Sequence, residues 1–410
     1  MWVRPRKLKE GFATSGGLLA IGTMLQLGIG AIDWKAFAFP VNVIILTLFI
    51  VIALAAHALR HRVYAFRYMS TSDAAVTALA YVVTITAIMG LTRQVPDGQQ
   101  AADPAGITRM LSFWPFVLTY VWMAFILALV ILRRATTFHF RDIPFMLNHL
   151  GLLLVLVCAT LGSSDMRRLT MTVGHDSPEW RAADAMGNIT RLPIAIRLKH
   201  FTIDEYPPKL MLLDNKTGLP IPAKKPQTLL LDSTFHGGQL QDWHITLLKK
   251  IELAAPIVTG DTTRYVHRPS SGATCAVLVK ASSANGQRVK TGWVTCGSYM
   301  YPYQLLALDS KESLVMPGRE PQRFVSTVDI HTKTGRNIET KIEVNKPFEV
   351  DGWNIYQLNY DTQMGRWSDT STLELVTDPW QPAVYTGIIM MLLGAVYTFV
   401  TAQRRKEDER

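Results

Sequence analysis

The chain has 410 residues, 49% of them hydrophobic and 18% charged, with a formal net charge of +10. That apolar share exceeds an ordinary soluble protein's without reaching that of a chain made only of membrane spans. No Arg/Lys-rich tract interleaved with aromatics accompanies the positive charge, so it gives no ground for a nucleic-acid partner.

The apolar excess lies at the two ends. Runs of about 20 mostly apolar residues, enough to cross a hydrocarbon core of about 30 Å, are expected near Ala13–Ile32, Phe39–Leu59, Ala74–Leu91, Met110–Leu132, Phe145–Gly162 and Ala383–Val400. A basic stretch precedes the first, as in a secretion signal. It lacks a small-x-small cleavage site and four more spans follow, so it is expected to be retained. Fourteen cations flank alternate ends of the spans, among them Arg4, Arg60, Arg133, Arg134 and Arg404. The other loops hold only Lys35, Arg93 and Arg109. This bias predicts both termini in the cytoplasm and residues from about 163 to 382 outside. The outer segment has 25 Lys+Arg and 23 Asp+Glu, so the basic pI reports membrane topology.

In the outer segment, short alternating runs replace helical periodicity: "AIRLKHFTI", "LQDWHITLLKKI", "TCAVLVKAS", "VKTGWVTC", "RFVSTVDIHTK", "IETKIEVN" and "WNIYQLNY". Turn signals stand at Asn215–Gly218, His236–Gly238, Asn285–Gly286 and Thr334–Gly335, and a hairpin is expected around Lys333–Arg336. The predicted class is a polytopic α-helical membrane protein of six spans, five N-terminal and one C-terminal. A large all-β extracytoplasmic domain, sandwich-like and divisible into two lobes, sits between spans five and six. The boundaries are 1–163, 164–381 and 382–410.

Three cysteines are present. Cys158 is mid-span, where a thiol acts as a small apolar residue. Asn285–Gly286 reads as a type I′ hairpin loop, so the numbers of facing partners total 571. Cys275 and Cys296 satisfy that total. Counting outward from a hydrogen-bonded Ala284–Gln287 pair puts them in a non-hydrogen-bonded pair, near enough for a disulfide. A structural crosslink in an oxidising compartment is the expected role. The competing one is a redox-active pair, but these cysteines lie on strands, away from the helix N-terminus that acidifies a C-x-x-C thiol.

The other conspicuous group is His149, about one turn inside the fifth span. Polar groups in spans are rare and usually face a cavity or the bundle interior. One reading is an interfacial ring bonded to Asn148 or a nearby carbonyl. The other is a neutral imidazole serving as an axial ligand of haem iron. His57 and His61, flanked by Arg60 and Arg62, read as solvated interface residues. His175, His200, His236, His244, His267 and His331 show no metal-ligand spacing.

"IEVNKPFEVDGWNIYQLNYD", running on to "LELVTDPWQPAVYTGIIMMLLG", resembles the ResB family of system II cytochrome c biogenesis, with its Asn-x-Pro, Gly-aromatic and Tyr-Gln series before the last span. "NHLGLLLVLVCATLGSSDMRRL" is similar to that family's span leading into the outer domain. The resemblance covers about Phe145 to Thr401; four spans before it, rather than two, mark a divergent branch. It implies a bacterial inner-membrane protein that works with a ResC/CcsA-type subunit. Together they carry haem outward for attachment to the Cys-x-x-Cys-His motif of an apocytochrome c, whose thiols are kept reduced by other proteins. It also implies that His149 helps ligate haem near the inner leaflet. This chain has no WxWD segment, no Cys-x-x-Cys-His and no phosphate loop, which predicts half a synthase rather than an enzyme by itself. A membrane-anchored β-domain assembly protein and a thiol-disulfide transfer protein using Cys275 and Cys296 are the alternatives.

Overall fold

A computed structural model describes residues 7–95, 99–260 and 262–408. The chain separates into two compact units, residues 1–167 with 377–410, and residues 168–376.

The first unit is helical: α1 (Lys7–Ile29), α2 (Val41–Leu59), the short α3 (Tyr64–Met69), α4 (Ser72–Leu91), α5 (Trp114–Ala135), α6 (Ile143–Gly162) and α7 (Gln381–Asp408). Six of these, all but α3, are long and apolar enough to cross a membrane. The chain is a membrane protein. Two starts differ from expectation. The first helix begins at Lys7, because its opening charged turn continues the helix, and Gly30 ends it with φ +78°. The fourth begins at Trp114, with Pro115 in its first turn; residues 107–112 form a tight 3₁₀ stretch that takes in 110–112, which were expected inside the span.

At one end of this bundle Tyr64 Oη donates to Glu10 (2.7 Å), and Arg134 pairs with Asp142 (2.5 Å). Among the described residues, the flanking cations Lys7, Lys9, Arg60, Arg62, Arg67, Arg133, Arg134 and Arg141 belong to the helix ends and turns on this side, and it is termed the basic end. At the other end the Asp165 carboxylate accepts from Phe39 N (2.7 Å), Asn42 Nδ2 (2.7 Å) and Trp380 Nε1 (2.8 Å), tying α2, α6 and α7 together. Burial alone would raise this carboxyl, but the three donors hold it below its ordinary value. Along their length α6 and α7 meet through glycine. A Cβ on Gly151 would lie 2.6 Å from Gly387 O, and one on Gly387 would lie 2.7 Å from Gly151 O. Small residues let membrane helices approach this closely.

The second unit is all β and has two cores. The first lobe starts with β1 (Arg167–Gly174), β2 (Glu179–Ala183) and β3 (Ile189–Glu205). The second lobe holds β4 (Lys209–Asp214), β5 (Leu229–Leu230), β6 (Gly237–Leu240), β7 (Trp243–Thr259), β8 (Thr262–His267), β9 (Thr274–Ser283), β10 (Val289–Thr295), β11 (Leu306–Ala307) and β12 (Glu312–Val315). The chain then returns to the first lobe as β13 (Pro321–Thr332), β14 (Asn337–Glu343), β15 (Phe348–Val350), β16 (Trp353–Tyr360) and β17 (Thr370–Thr377). The first lobe is one eight-stranded sheet, ordered β14-β13-β3-β2-β1-β17-β16-β15, around a core including Ile196, Val328, Ile355 and Leu373. The second packs β10-β9-β7-β6, with β8 on β7, near β11-β12-β4-β5; Trp243, Val277, Val279 and Leu314 fill it. Two neighbouring strands of chain cross between the lobes. Tyr206 N donates to Glu320 O (2.9 Å), and Arg319, beside Glu205 at 3.4 Å, donates to Tyr206 O.

The alternating runs fall on strands, with two corrections. "LQDWHITLLKKI" contains a turn, Gln241–Asp242, because Leu240 pairs with Trp243 and Gln241 takes φ +49°. Gly237 and Gly238 lie within β6 rather than in a turn: a Cβ on Gly238 would meet Leu229 at 2.6 Å, so they are there for close approach.

Candidate functional site

The chain enters α6 through a tight turn at Phe140–Asp142, and Pro144 lies in the helix's first turn. Asp142 fixes that entrance. Its side chain is 3% exposed and accepts from Arg134 and from His139 N (3.0 Å). Two turns on, His149 Nδ1 lies 2.9 Å from Phe145 O. A carbonyl oxygen can only accept, so Nδ1 carries a proton; in the neutral ring Nε2 keeps its lone pair. No hydrogen bond reaches Nε2 among the described residues. The imidazole stacks on Phe145, with ring centres 3.8 Å apart and planes 23° from parallel. The Arg134 guanidinium lies 5.9 Å from the centre of the same phenyl ring.

Helix geometry explains why the ring turns this way. Asn148 faces α7, close enough that a Cβ on Gly394 would lie 2.7 Å from its Oδ1. One residue further on is a rotation of about 100°. That puts His149 on the stripe with Phe145, Leu156 and Thr160, the last two of which hydrogen-bond Tyr120 of α5. The arrangement suits a metal ligand: the second nitrogen is oriented by a backbone oxygen while the first stays open.

The other sequence candidates are placed differently. His57 and His61 are both taken by Arg60, which lies 2.7 Å from His57 Nδ1 and 3.2 Å from His61 Nε2. Among the described residues, no three His, Cys, Asp or Glu side chains gather as a metal site.

Facing partners in the β9–β10 hairpin total 571 throughout, from Val289↔Ser282 to Thr295↔Ala276. The turn itself is not type I′. Asn285 keeps a negative φ and only Gly286 is left-handed, at +68°. The closing bond runs from Ser283 N to Arg288 O (2.9 Å), while Asn285 Oδ1 accepts from Ser283 Oγ. The loop is therefore two residues longer, which keeps the register but shifts the alternation of pair types by one. Cys275 and Cys296 thus fall at a hydrogen-bonded position, just past the last ladder pair. In this structure their sulfurs are not joined. Cys275 is 3% exposed in the second core. Burial, and after it the charges of Glu252 and Cys296, push its thiol up to about 12. At pH 8 the thiolate is scarcer than in an ordinary cysteine by about three orders of magnitude. With the chain kept reduced, iodoacetamide should therefore alkylate Cys275 in the folded state slower than in the unfolded state by about that factor. Peptide mass analysis reads it, and rapid native labelling would refute the burial argument.

Three features escaped sequence reasoning: the Arg134–Phe145–His149 stack, the Asp165 tie, and Gln357. The last lies 7% exposed in the first core, where its Oε1 meets Ser326 Oγ (2.5 Å) and Ser371 Oγ (3.0 Å). Its only signal was position, since it is the third inward residue of β16.

No curated protein matches this chain. A family model does match residues 269–368, from just before β9 to just before β17. The matched stretch includes the Asn345–Pro347 turn, Gly352–Trp353 and Gln357 but leaves His149 outside. The model is that of the ResB-like family, and over those residues, within the β unit, this membrane chain is similar to that family.

Proposed function

We propose that the chain is the ResB-like half of a cytochrome c synthase. It receives haem near the basic end of its bundle and, with a ResC/CcsA-type subunit, passes it across the bacterial inner membrane for attachment to apocytochrome c. The observation that carries this reading is His149, with Nδ1 committed to Phe145 O and Nε2 open. A neutral imidazole in a low-dielectric bundle is an effective iron ligand and needs no counter-charge of its own. The Phe145 ring restricts the rotation of the imidazole, so little order is lost when iron binds. The partner subunit supplies the other axial ligand and the outer haem site. The β domain, with the basic end placed in the cytoplasm, lies outside and receives the client. In that oxidising compartment Cys275 and Cys296, which share a register, form a structural crosslink, and non-reducing mass analysis of the purified chain detects it.

The test is the chain co-purified with its partner subunit. Wild type should show a haem absorbance band. His149→Ala should lose most of it, and added imidazole should restore it. A band unchanged in the variant would leave the chain as a membrane-anchored β-domain assembly protein.

A further inference from the structure

We infer that Arg134 is the counter-charge for a carboxylate of the cargo held at His149. This rests on the haem reading above and adds a recognition element to it. Haem carries two propionates at one edge of its ring. An ionised carboxylate drawn into a membrane bundle is costly unless a cation meets it. The flanking cations are numerous, so the question is which of them belongs to this site.

Arg134 is singled out by two contacts. The first is Asp142: one terminal nitrogen of the guanidinium bonds to a carboxylate whose side chain is 3% exposed. This fixes the long side chain in one orientation. The second is Phe145, which lies under the guanidinium and also stacks on His149, so cation and imidazole share one aromatic ring. The Arg134 side chain is still 54% exposed, and its remaining donors are open to a second carboxylate. Arg60, another of the flanking arginines, is occupied by His57 and His61. Among the described residues, no other cation stacks on Phe145. A planar fork with one edge on Asp142 and the other free is suited to two-point recognition of a second carboxylate.

The competing view is that Arg134 only steadies the turn before α6. The two views differ in what they say about the propionates. The full chain with its partner subunit, in detergent, is titrated with haemin and with haemin dimethyl ester, whose carboxylates are capped, and absorbance is followed. In wild type, esterification should weaken binding about ten- to a hundredfold. Arg134→Gln should weaken haemin by a similar factor, leave the axial-ligand bands in place, and make binding indifferent to esterification. Equal esterification penalties in wild type and Arg134→Gln would overturn the inference. If Arg134→Gln fails to assemble, Arg134→Lys keeps the charge and loses the fork. It should show a reduced esterification penalty, and a full penalty would overturn the inference equally. His149→Ala serves as the separate control. Unchanged axial bands in that variant would sink the haem reading itself, whatever Arg134 does.

Discussion

Gln357→Leu is expected to destabilise the first lobe by about 2–4 kcal/mol, one of the larger effects available outside the membrane. The side chain fits the space, so the loss is one of hydrogen bonding. Ser326 and Ser371 are both fully buried, and Ser326 Oγ lies 2.8 Å from Ser371 Oγ. With Gln357 Oε1 these hydroxyls form a closed triangle. The Gln357 amide also donates to Asn359 O (2.9 Å), where β16 bulges against β17. Leucine would leave a hydroxyl proton and a carbonyl oxygen without partners in a dry core, and such orphans cost more than the bonds contribute. Ser326→Ala and Ser371→Ala added to Gln357→Leu should recover much of the loss, because an apolar core with no orphans is nearly neutral. Thermal unfolding of the full chain measures both. A single variant as stable as wild type would show that water replaces the amide.

Gly151→Leu should be more damaging still, preventing α6 and α7 from docking. The added Cβ alone would sit 2.6 Å from Gly387 O and 3.0 Å from Met390 Cβ, and neither neighbour is a flexible side-chain tip. Even alanine forces the backbones apart, at about 1–3 kcal/mol. Leucine would also shift Asn148 away from Gly394 and rotate the His149 stripe. The expected result is little folded protein in membranes, with alanine intermediate in detergent heat resistance. Wild-type yield and stability in Gly151→Leu would mean the helices do not cross at this point.

Much of the architecture was legible because hydropathy and period-two alternation are local signals. Six spans and an all-β insert follow from them directly. The β9–β10 register was also legible, although the turn chemistry behind it was wrong. A loop two residues longer conserves the register because one residue is added to each side. The I′ geometry assigned to Asn285–Gly286 occurs instead at Asp351–Gly352, where both residues have positive φ (48° and 79°) and Val350 pairs with Trp353. Asn345, in the Asn-x-Pro motif, is there for a related reason, at φ +63°. The candidate site was half legible. A histidine inside an apolar run announces itself, but its tautomer depends on a backbone oxygen four residues back. Arg134 comes from another helix, and no local pattern connects the two. Gln357 was hidden by regular alternation, which marks a face as inward without saying that it is apolar.

The glycine seam has a consequence for biosynthesis. About 220 residues lie between the end of α6 and the start of α7. At roughly 5–20 residues per second, a ribosome takes about 10–45 s to cover them. For that interval the nascent chain presents a bare backbone groove to lipid, or to an insertion chaperone, before its own last helix arrives to fill it.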